Sequence, residues 1–133
     1  MLVAVCSLMP KMSVLAEGGA GTAADPFTID SVEDLVKFRD AIDGLNSITA
    51  YNGVNLSDGG TEKYFKLTAD IDLSSVCGAN IGAGGSEVSW APIGSSDKPF
   101  KGHFNGNGHS IKGLYINSYR LSRAVWICIW GIY

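Results

Sequence analysis

Two Asn-Gly pairs stand back to back at residues 105–108, between two stretches in which apolar residues alternate with other residues. Because Asn and Gly adopt positive φ at little steric cost, the chain is predicted to turn sharply here. Strands are predicted at 100–104 and 110–116, each with one apolar face. Those faces consist of Phe100, Gly102 and Phe104 before the turn and Leu114 and Ile116 after it. Because a hairpin of two such strands is marginal in water, further strands are expected to cover them.

The order of residues around this turn resembles a known signature. Residues 90–94 read WAPIG, residues 100–111 read FKGHFNGNGHSI, and residues 113–117 read GLYIN. This order resembles the opening segment of secreted or surface-anchored bacterial proteins with right-handed parallel β-helices, including those with GLUG repeats. The residues that carry the resemblance are Trp90, Pro92, Gly94, Phe100, Gly102, Phe104, Gly106, Asn107, Gly108, Ile111, Gly113 and Leu114.

The resemblance implies a mainly β fold, in which an N-terminal helix caps the first coils of a right-handed parallel β-helix of the pectin-lyase-like type. The helix-capped start of this solenoid fragment is expected at residues 25–117. A flexible linker is expected at 17–24. The next family rung does not follow Asn117, and residues 118–133 form an atypical apolar tail, which suggests a fragment end or a shifted reading frame.

Local patterns upstream of the turn predict a strand and then a helix. Phe27 and Ile29 alternate as a short first strand. Ser31 is a suitable N-cap, and Gly44 is a suitable residue to end the helix. The apolar stripe of the helix consists of Val32, Leu35, Val36, Phe38, Ala41 and Ile42.

The segment between this helix and the Asn-Gly turn divides into two parts by composition. Residues 45–62 are polar and rich in turn residues, which predicts a surface loop. In residues 64–73 every second residue is apolar, which predicts one strand or two strands joined by a bend.

The N-terminal residues 1–16, MLVAVCSLMPKMSVLA, are apolar, and small residues lie near a possible cleavage point after Ala16, as in a secretory signal. The competing interpretation is an ordinary buried strand or helix. This segment is too short to span a bilayer comfortably, so no stable membrane insertion is expected after its removal. This segment predicts a secreted or cell-surface protein, and the resemblance implies a bacterial one. The cysteines Cys6, Cys77 and Cys128 lie far apart and predict no disulfide framework, and pairing of Cys77 with Cys128 is left open.

The titratable residues give little support for catalysis. Asp70 and Asp72 lie two residues apart on the polar face of a predicted strand, where carboxylates can bind calcium or act as acids. Asp near a turn often hydrogen-bonds its own backbone, so the pair is a weak metal candidate and a structural role is favoured. His103 and His109 flank the turn without a Ser or Cys motif to activate. No catalytic residue, metal or cofactor is therefore predicted.

Two functional hypotheses follow. The resemblance implies a non-catalytic N-terminal cap and opening coil of an exported surface β-helix protein, adhesive or carbohydrate-contacting; the alternative is an N-terminal fragment of a polysaccharide lyase or glycoside hydrolase. The expected partners are an extracellular glycan or a host surface protein, and further β-helix coils of the full-length protein. A net charge of -3 argues against nucleic acid. The aromatic residues considered for stacking on sugar rings are Tyr51, Tyr64, Trp90 and Tyr115.

Overall fold

The computed structural model describes residues 18–117 of the 133-residue chain. The predicted signal segment 1–16, Cys6, Cys128 and the tail at 118–133 lie outside the described residues. The strands are β1 (Phe27–Ile29), β2 (Ala50–Tyr51), β3 (Val54–Asn55), β4 (Tyr64–Leu67), β5 (Ile71–Asp72), β6 (His103–Asn105) and β7 (Ile111–Lys112). The helix α1 spans Val32–Asp43, and short 3-10 turns lie at Leu45–Ser47, Leu73–Ser75 and Ala83–Gly85.

The strands of the described part form three small sheets. β1, β4 and β6 form a parallel sheet with β4 in the middle, and its register places Phe27 beside Phe65 and Phe65 beside Phe104. β5 and β7 form a parallel pair in which Ile71 lies beside Ile111. β2 and β3 form an antiparallel hairpin. In these parallel pairs, each residue lies beside one that is more than thirty positions away in sequence.

The expected fold class, the first coils of a right-handed parallel β-helix behind a helix cap, is wrong. Residues 18–117 form a small domain with one helix and short strands in small sheets. The connection from β1 to β4 contains α1 and the antiparallel hairpin, whereas the connection from β4 to β6 contains β5 and two 3-10 turns. These unlike connections do not repeat as the coils of a solenoid. Alternation and an Asn-Gly turn specify local conformation, but they do not specify which strands pair.

The helix follows the prediction from sequence. The Oγ atom of Ser31 accepts a hydrogen bond from the Asp34 N–H at 3.2 Å, and Gly44 has the left-handed φ of 69° that ends the helix. Of the predicted apolar stripe, the fully buried members are Leu35, Phe38, Ala41 and Ile42, and the partly buried members are Val32 and Val36. The N-cap, the end of the helix and its apolar face are therefore confirmed.

Phe38 lies at the centre of the core. Its ring centroid is 4.3 Å from that of Phe65, 5.5 Å from that of Phe100 and 5.9 Å from that of Phe104. The ring of Tyr51 also packs against Phe38, with a distance of 6.3 Å between the two ring centroids. One helical side chain thus contacts rings from two strands of the parallel sheet, from β2 and from the segment before β6.

The prediction of a surface loop at 45–62 is wrong in part. Tyr51 in β2 is 2 % exposed and Leu56 is fully buried. The hydroxyl of Tyr51 donates a hydrogen bond to the carbonyl oxygen of Thr28 at 2.9 Å, which satisfies its polar end inside the core. Because turn residues dominate the composition of this segment, its sequence pattern does not indicate that Tyr51 and Leu56 belong to the core.

The predicted strand regions at 64–73 and 100–116 are shorter than expected. The first divides into β4 and β5 at a bend, as one of the two alternatives held. In the second, β6 begins only at His103 and β7 contains two residues. Leu114 is 41 % exposed, so its predicted place in a buried face is wrong. Gly113 precedes it with φ of +69°, which breaks the alternation on which that prediction depended.

Replacing Phe38 by Ala should lower the free energy of unfolding by about 3–5 kcal/mol, because the ring leaves a cavity between the helix and the sheet. Urea unfolding of the full chain measures this change. Lys37→Ala is the control, since Lys37 is exposed on the same helix and its loss should change stability by less than about 0.5 kcal/mol. Equal effects of the two substitutions would contradict the packing described for Phe38.

Candidate functional site

The parallel sheet has one face toward the core and one face toward solvent. Because side chains alternate along a strand, the register that directs Phe27, Phe65 and Phe104 toward the core directs the neighbouring residues outward. We call this surface the outer face. It consists of Thr28, Tyr64, Lys66, His103 and Asn105.

The aromatic row of the outer face consists of Tyr64 and His103. They are neighbours in the register of β4 and β6, and their rings stack with a centroid distance of 4.3 Å and an interplanar angle of 13°. Tyr64 is half-buried, whereas His103 is exposed. β6 is at the edge of the sheet, so the imidazole face that turns away from Tyr64 is directed past that edge.

A polar row lies beside the aromatic row. Thr28, Lys66 and Asn105 are neighbours across the three strands. This row is two residues along the strands from the aromatic row, a separation of roughly 6.6 Å at about 3.3 Å per residue. The outer face therefore combines a stacked aromatic pair with an ammonium group, an amide and a hydroxyl.

Asp70 and Asp72, the weak metal candidates, are engaged in local structure. The Oδ1 atom of Asp70 accepts the backbone N–H of Ser110 at 2.8 Å and lies 3.5 Å from Nδ1 of His109. The Oδ1 atom of Asp72 accepts the backbone N–H of Ser74 at 2.9 Å and so caps the 3-10 turn. Across residues 18–117 no three His, Cys, Asp or Glu side chains lie together as a metal-binding group.

The hydrogen bonds also change the acidity of both carboxyls. The backbone N–H of Ser110 is the main reason that the pKa of Asp70 lies below its ordinary value. The hydroxyl of Ser74 and then its backbone N–H lower the pKa of Asp72. A donor that favours the ionised form makes a carboxyl a poorer proton donor near neutral pH, so neither residue has the raised pKa of a general acid.

A second cluster of charged residues lies at the C-terminal end of α1. Asp40 is 2 % exposed, and its Oδ1 atom accepts hydrogen bonds from Nε and a terminal nitrogen of Arg39 at 2.8 and 2.6 Å. Its Oδ2 atom accepts from Nδ2 of Asn46 at 2.9 Å. The guanidinium of Arg39 lies 4.5 Å from the ring centroid of Trp90, a distance typical of a cation–π contact. The buried carboxylate is thus fully engaged with protein groups.

Asp43 joins the same end of the helix to the WAPIG segment. Its Oδ1 atom accepts the backbone N–H of Gly94 at 3.0 Å, and Nζ of Lys98 donates to its carbonyl oxygen at 3.3 Å. Burial raises the pKa of the Asp43 carboxyl by more than the bond from Gly94 lowers it. Gly94 has φ of +84°, and a Cβ there would lie 2.7 Å from the nitrogen of Phe100, so glycine is required at this contact.

The remaining signature residues have structural positions. Trp90 is buried, and its backbone N–H donates to the Tyr115 carbonyl at 2.7 Å. Asn107 has φ of +49°, and its Nδ2 atom donates to the Leu67 carbonyl at 3.0 Å, which attaches the Asn-Gly turn to the end of β4. The other members are Pro92 and Phe100 before the turn, Gly102 and Phe104 at β6, Gly106 and Gly108 in the turn, and Ile111 and Gly113 after it.

Of the four aromatic residues considered for sugar stacking, Tyr51 and Trp90 are buried. The hydroxyl of Tyr115 donates to Oε2 of Glu87 at 3.0 Å, and its ring packs against the core. Tyr64 is the one that reaches the outer face. Its partner His103 was not considered for this role, since 39 positions separate the two residues and only the β4–β6 register brings them together.

Replacing Arg39 by Leu should lower the free energy of unfolding by about 3–5 kcal/mol, because it leaves the buried Asp40 carboxylate without its cation. Urea unfolding measures the loss. Adding Asp40→Asn to Arg39→Leu should recover much of the stability, because the uncompensated charge is removed while the acceptor for Asn46 is kept. Equal stability of the single and double variants would show that the ion pair is not the cause.

The double substitution Asp70→Asn and Asp72→Asn should destabilise the fold at about pH 7 but not at about pH 2. A carboxyl whose folded-state pKa is lowered stabilises the fold above its unfolded-state pKa, and this contribution is lost as the pH falls through the folded-state value. Urea unfolding across this range measures the difference. Titration calorimetry should show no calcium binding by the full chain. Micromolar calcium binding that the double variant abolishes would contradict the structural role.

The chain is similar to segments of two known proteins. No family model matches the chain, and no solved structure matches it significantly. Over 100 residues the chain is 33% identical to a protein of Evansella cellulosilytica named as a Gly-rich membrane protein, an alignment that covers 75% of this chain and 9% of that protein. Over 99 residues it is 35% identical to Halomucin of Haloquadratum walsbyi, with coverage of 74% and 1%.

The chain thus spans only 9% and 1% of the two relatives that it matches. Their names, a membrane protein and a mucin, are consistent with a location at the cell surface or outside the cell. Within residues 18–117 no helix is long and apolar enough to cross a membrane. The resemblance to GLUG-repeat proteins is not tested by these matches and stays a prediction.

Proposed function

We propose that this chain is a non-catalytic module of a secreted or cell-surface protein and that it contacts carbohydrate through the outer face. The observation that carries the proposal is the stacked pair of Tyr64 and His103, with Lys66 and Asn105 beside it. Aromatic faces bind the apolar C–H faces of sugar rings, and neighbouring amide and ammonium groups bind hydroxyls and other substituents. The outer face offers both kinds of group on adjacent strands.

The rigidity of the outer face supports the proposal. Tyr64 and His103 lie on hydrogen-bonded strands whose opposite side is packed against Phe38. Each ring also restricts the rotation of the other, because they stack in parallel planes. A surface that is ordered before binding loses less conformational entropy when a ligand immobilises it.

The enzyme alternative, a fragment of a polysaccharide lyase or hydrolase, lacks a comparable observation in the described part of the chain. Glycoside hydrolysis requires an acid with a raised pKa beside a second carboxylate. Asp70 and Asp72 have lowered pKa values and accept backbone N–H groups. The pKa of Asp43 is raised, but its carboxyl binds the Gly94 N–H, between α1 and the WAPIG segment.

The location proposed here is the bacterial cell surface or the medium. The apolar residues 1–16 resemble a secretory signal, and the two relatives carry the names of a membrane protein and a mucin. Each relative is far longer than the matched segment. These observations support a role for the chain as one module of a large envelope protein, with adhesion as the activity that such a module would serve.

Tyr64→Ala and His103→Ala should each weaken binding to polysaccharide at least fivefold, since stacking by an aromatic ring contributes about 1 kcal/mol or more. Biolayer interferometry against a panel of immobilised neutral, anionic and cationic polysaccharides measures this loss. His109→Ala is the matched control, because this histidine lies outside the outer face next to Asp70. Thermal unfolding of each variant checks that the fold is kept.

Two results would contradict the proposed function. One is the absence of binding to every polysaccharide in the panel at millimolar sugar concentration. The other is binding that survives both Tyr64→Ala and His103→Ala in variants that unfold at the wild-type temperature, because the glycan would then contact another surface.

A further inference from the structure

We infer that the outer face selects anionic glycans, those with carboxylate or sulfate groups, and that Lys66 is the residue that recognises the negative charge. This inference rests on the proposed function, and it adds the chemical class of the ligand. Lys66 lies in the middle strand of the sheet, between Thr28 and Asn105 in register. It is therefore at the centre of the polar row, beside the aromatic row.

The ammonium group of Lys66 has no acidic partner in the described part of the chain. The ion pairs recorded between described residues are Arg39 with Asp40 and His109 with Asp70. The outer face itself contains no carboxylate. Lys101, two residues before His103, is exposed and likewise forms no recorded ion pair. A cation that no internal carboxylate neutralises is available to an external anion.

The distances on the sheet suit a sugar that bears an acidic group. Neighbouring strands lie about 4.8 Å apart, and the two rows of the outer face lie roughly 6.6 Å apart. A pyranose ring that stacks on the exposed face of His103 lies past the edge of the sheet, so it meets the flexible side chain of Lys66 through an acidic substituent that extends back toward the polar row. An ion pair at this distance would add to stacking without any movement of the backbone.

Glu62 is one of the acidic residues that oppose this preference. It is exposed and lies two residues before Tyr64, where a φ of +57° turns the chain into β4. Its charge would repel an anionic glycan, although it lies at the far end of the aromatic row from Lys66. Asp30 is also exposed and lies two residues after Thr28, so lysines and acidic residues both lie near the outer face. The preference therefore depends on the central position of Lys66 in the polar row and not on a positive net charge of the surroundings, and the chain as a whole carries a net charge of -3.

The test uses pairs of polysaccharides with the same backbone, in which one member of each pair carries anionic carboxymethyl groups. Biolayer interferometry of the full chain compares dextran with carboxymethyl dextran, hydroxyethyl cellulose with carboxymethyl cellulose, and both with cationic diethylaminoethyl dextran. We expect tighter binding to each carboxymethyl derivative than to its neutral partner and no binding to the cationic polymer. Lys66→Gln should weaken binding to the carboxymethyl derivatives about fivefold, the upper range for an exposed charge pair. Binding to the neutral polymers should not change.

Two further variants test the sign and the position of the charge. Glu62→Gln should strengthen binding to the carboxymethyl derivatives, because it removes a repulsive charge. Lys37→Gln, which makes the same charge change on the exposed face of α1, should have no effect. Higher salt should weaken the preference for the carboxymethyl derivatives, since salt screens exposed charges.

The outcomes separate the inference from the proposed function. Equal binding to neutral and carboxymethyl polymers, with loss of binding in Tyr64→Ala, would overturn the inference and leave the proposed function standing. Equal weakening by Lys66→Gln and Lys37→Gln would also overturn the inference, because net charge and not the outer face would then decide. The absence of binding to all five polymers would overturn both.

Discussion

The packing of Phe38 against the phenylalanine rings of the parallel sheet is the interaction on which the rest of the structure depends. Phe65 and Phe104 lie beside each other in β4 and β6, and Phe38 contacts both rings. Because side chains alternate with a period of two, a one-residue slip of either strand would bury polar residues and expose the rings. The same register places Tyr64 beside His103 on the opposite side. The packing of the hydrophobic core thus determines which residues lie on the outer face, although no side chain belongs to both the core and the outer face.

The charged end of α1 plays a supporting role. Asp40 and Asp43 lie in the last turn of the helix, where negative charge is unfavourable for the helix dipole. Both find partners outside the helix, in Asn46 and Gly94, in addition to the guanidinium of Arg39 beside Asp40. Contacts from the helix therefore hold the WAPIG segment in place, and Phe100 and β6 follow six and nine residues after Gly94. Asp40 and Asp43 at this end of the helix indicate, from sequence alone, that groups outside the helix stabilise their charge. The prediction of the helix did not include this indication.

Errors in the sequence analysis share one cause. The segment 45–62 contains Tyr51 and Leu56 in the core, and the expected coil at 100–117 divides between two sheets. In both places the local conformation was partly right: turns lie where Asn and Gly predict them, and short strands lie near Phe104 and Ile111. What was wrong is the assignment of neighbours. A residue is buried or exposed because of the element that covers it, and that element is encoded elsewhere in the chain.

The sequence by itself determined the local features, which depend only on residues within one turn of a helix or a few residues along a strand. These are the Ser31 cap, the left-handed Gly44, the apolar stripe of α1, the strand at Phe27–Ile29 and the turn at 105–108. Only the tertiary structure decided that β4 lies between β1 and β6, that Asp72 caps a turn, and that Tyr64 stacks on His103. The physical reason is that parallel strand pairing joins residues 38 to 40 positions apart, and Phe38 packs on rings that are 13 to 66 positions away. Such contacts stabilise the fold only after the chain between the two residues has been ordered.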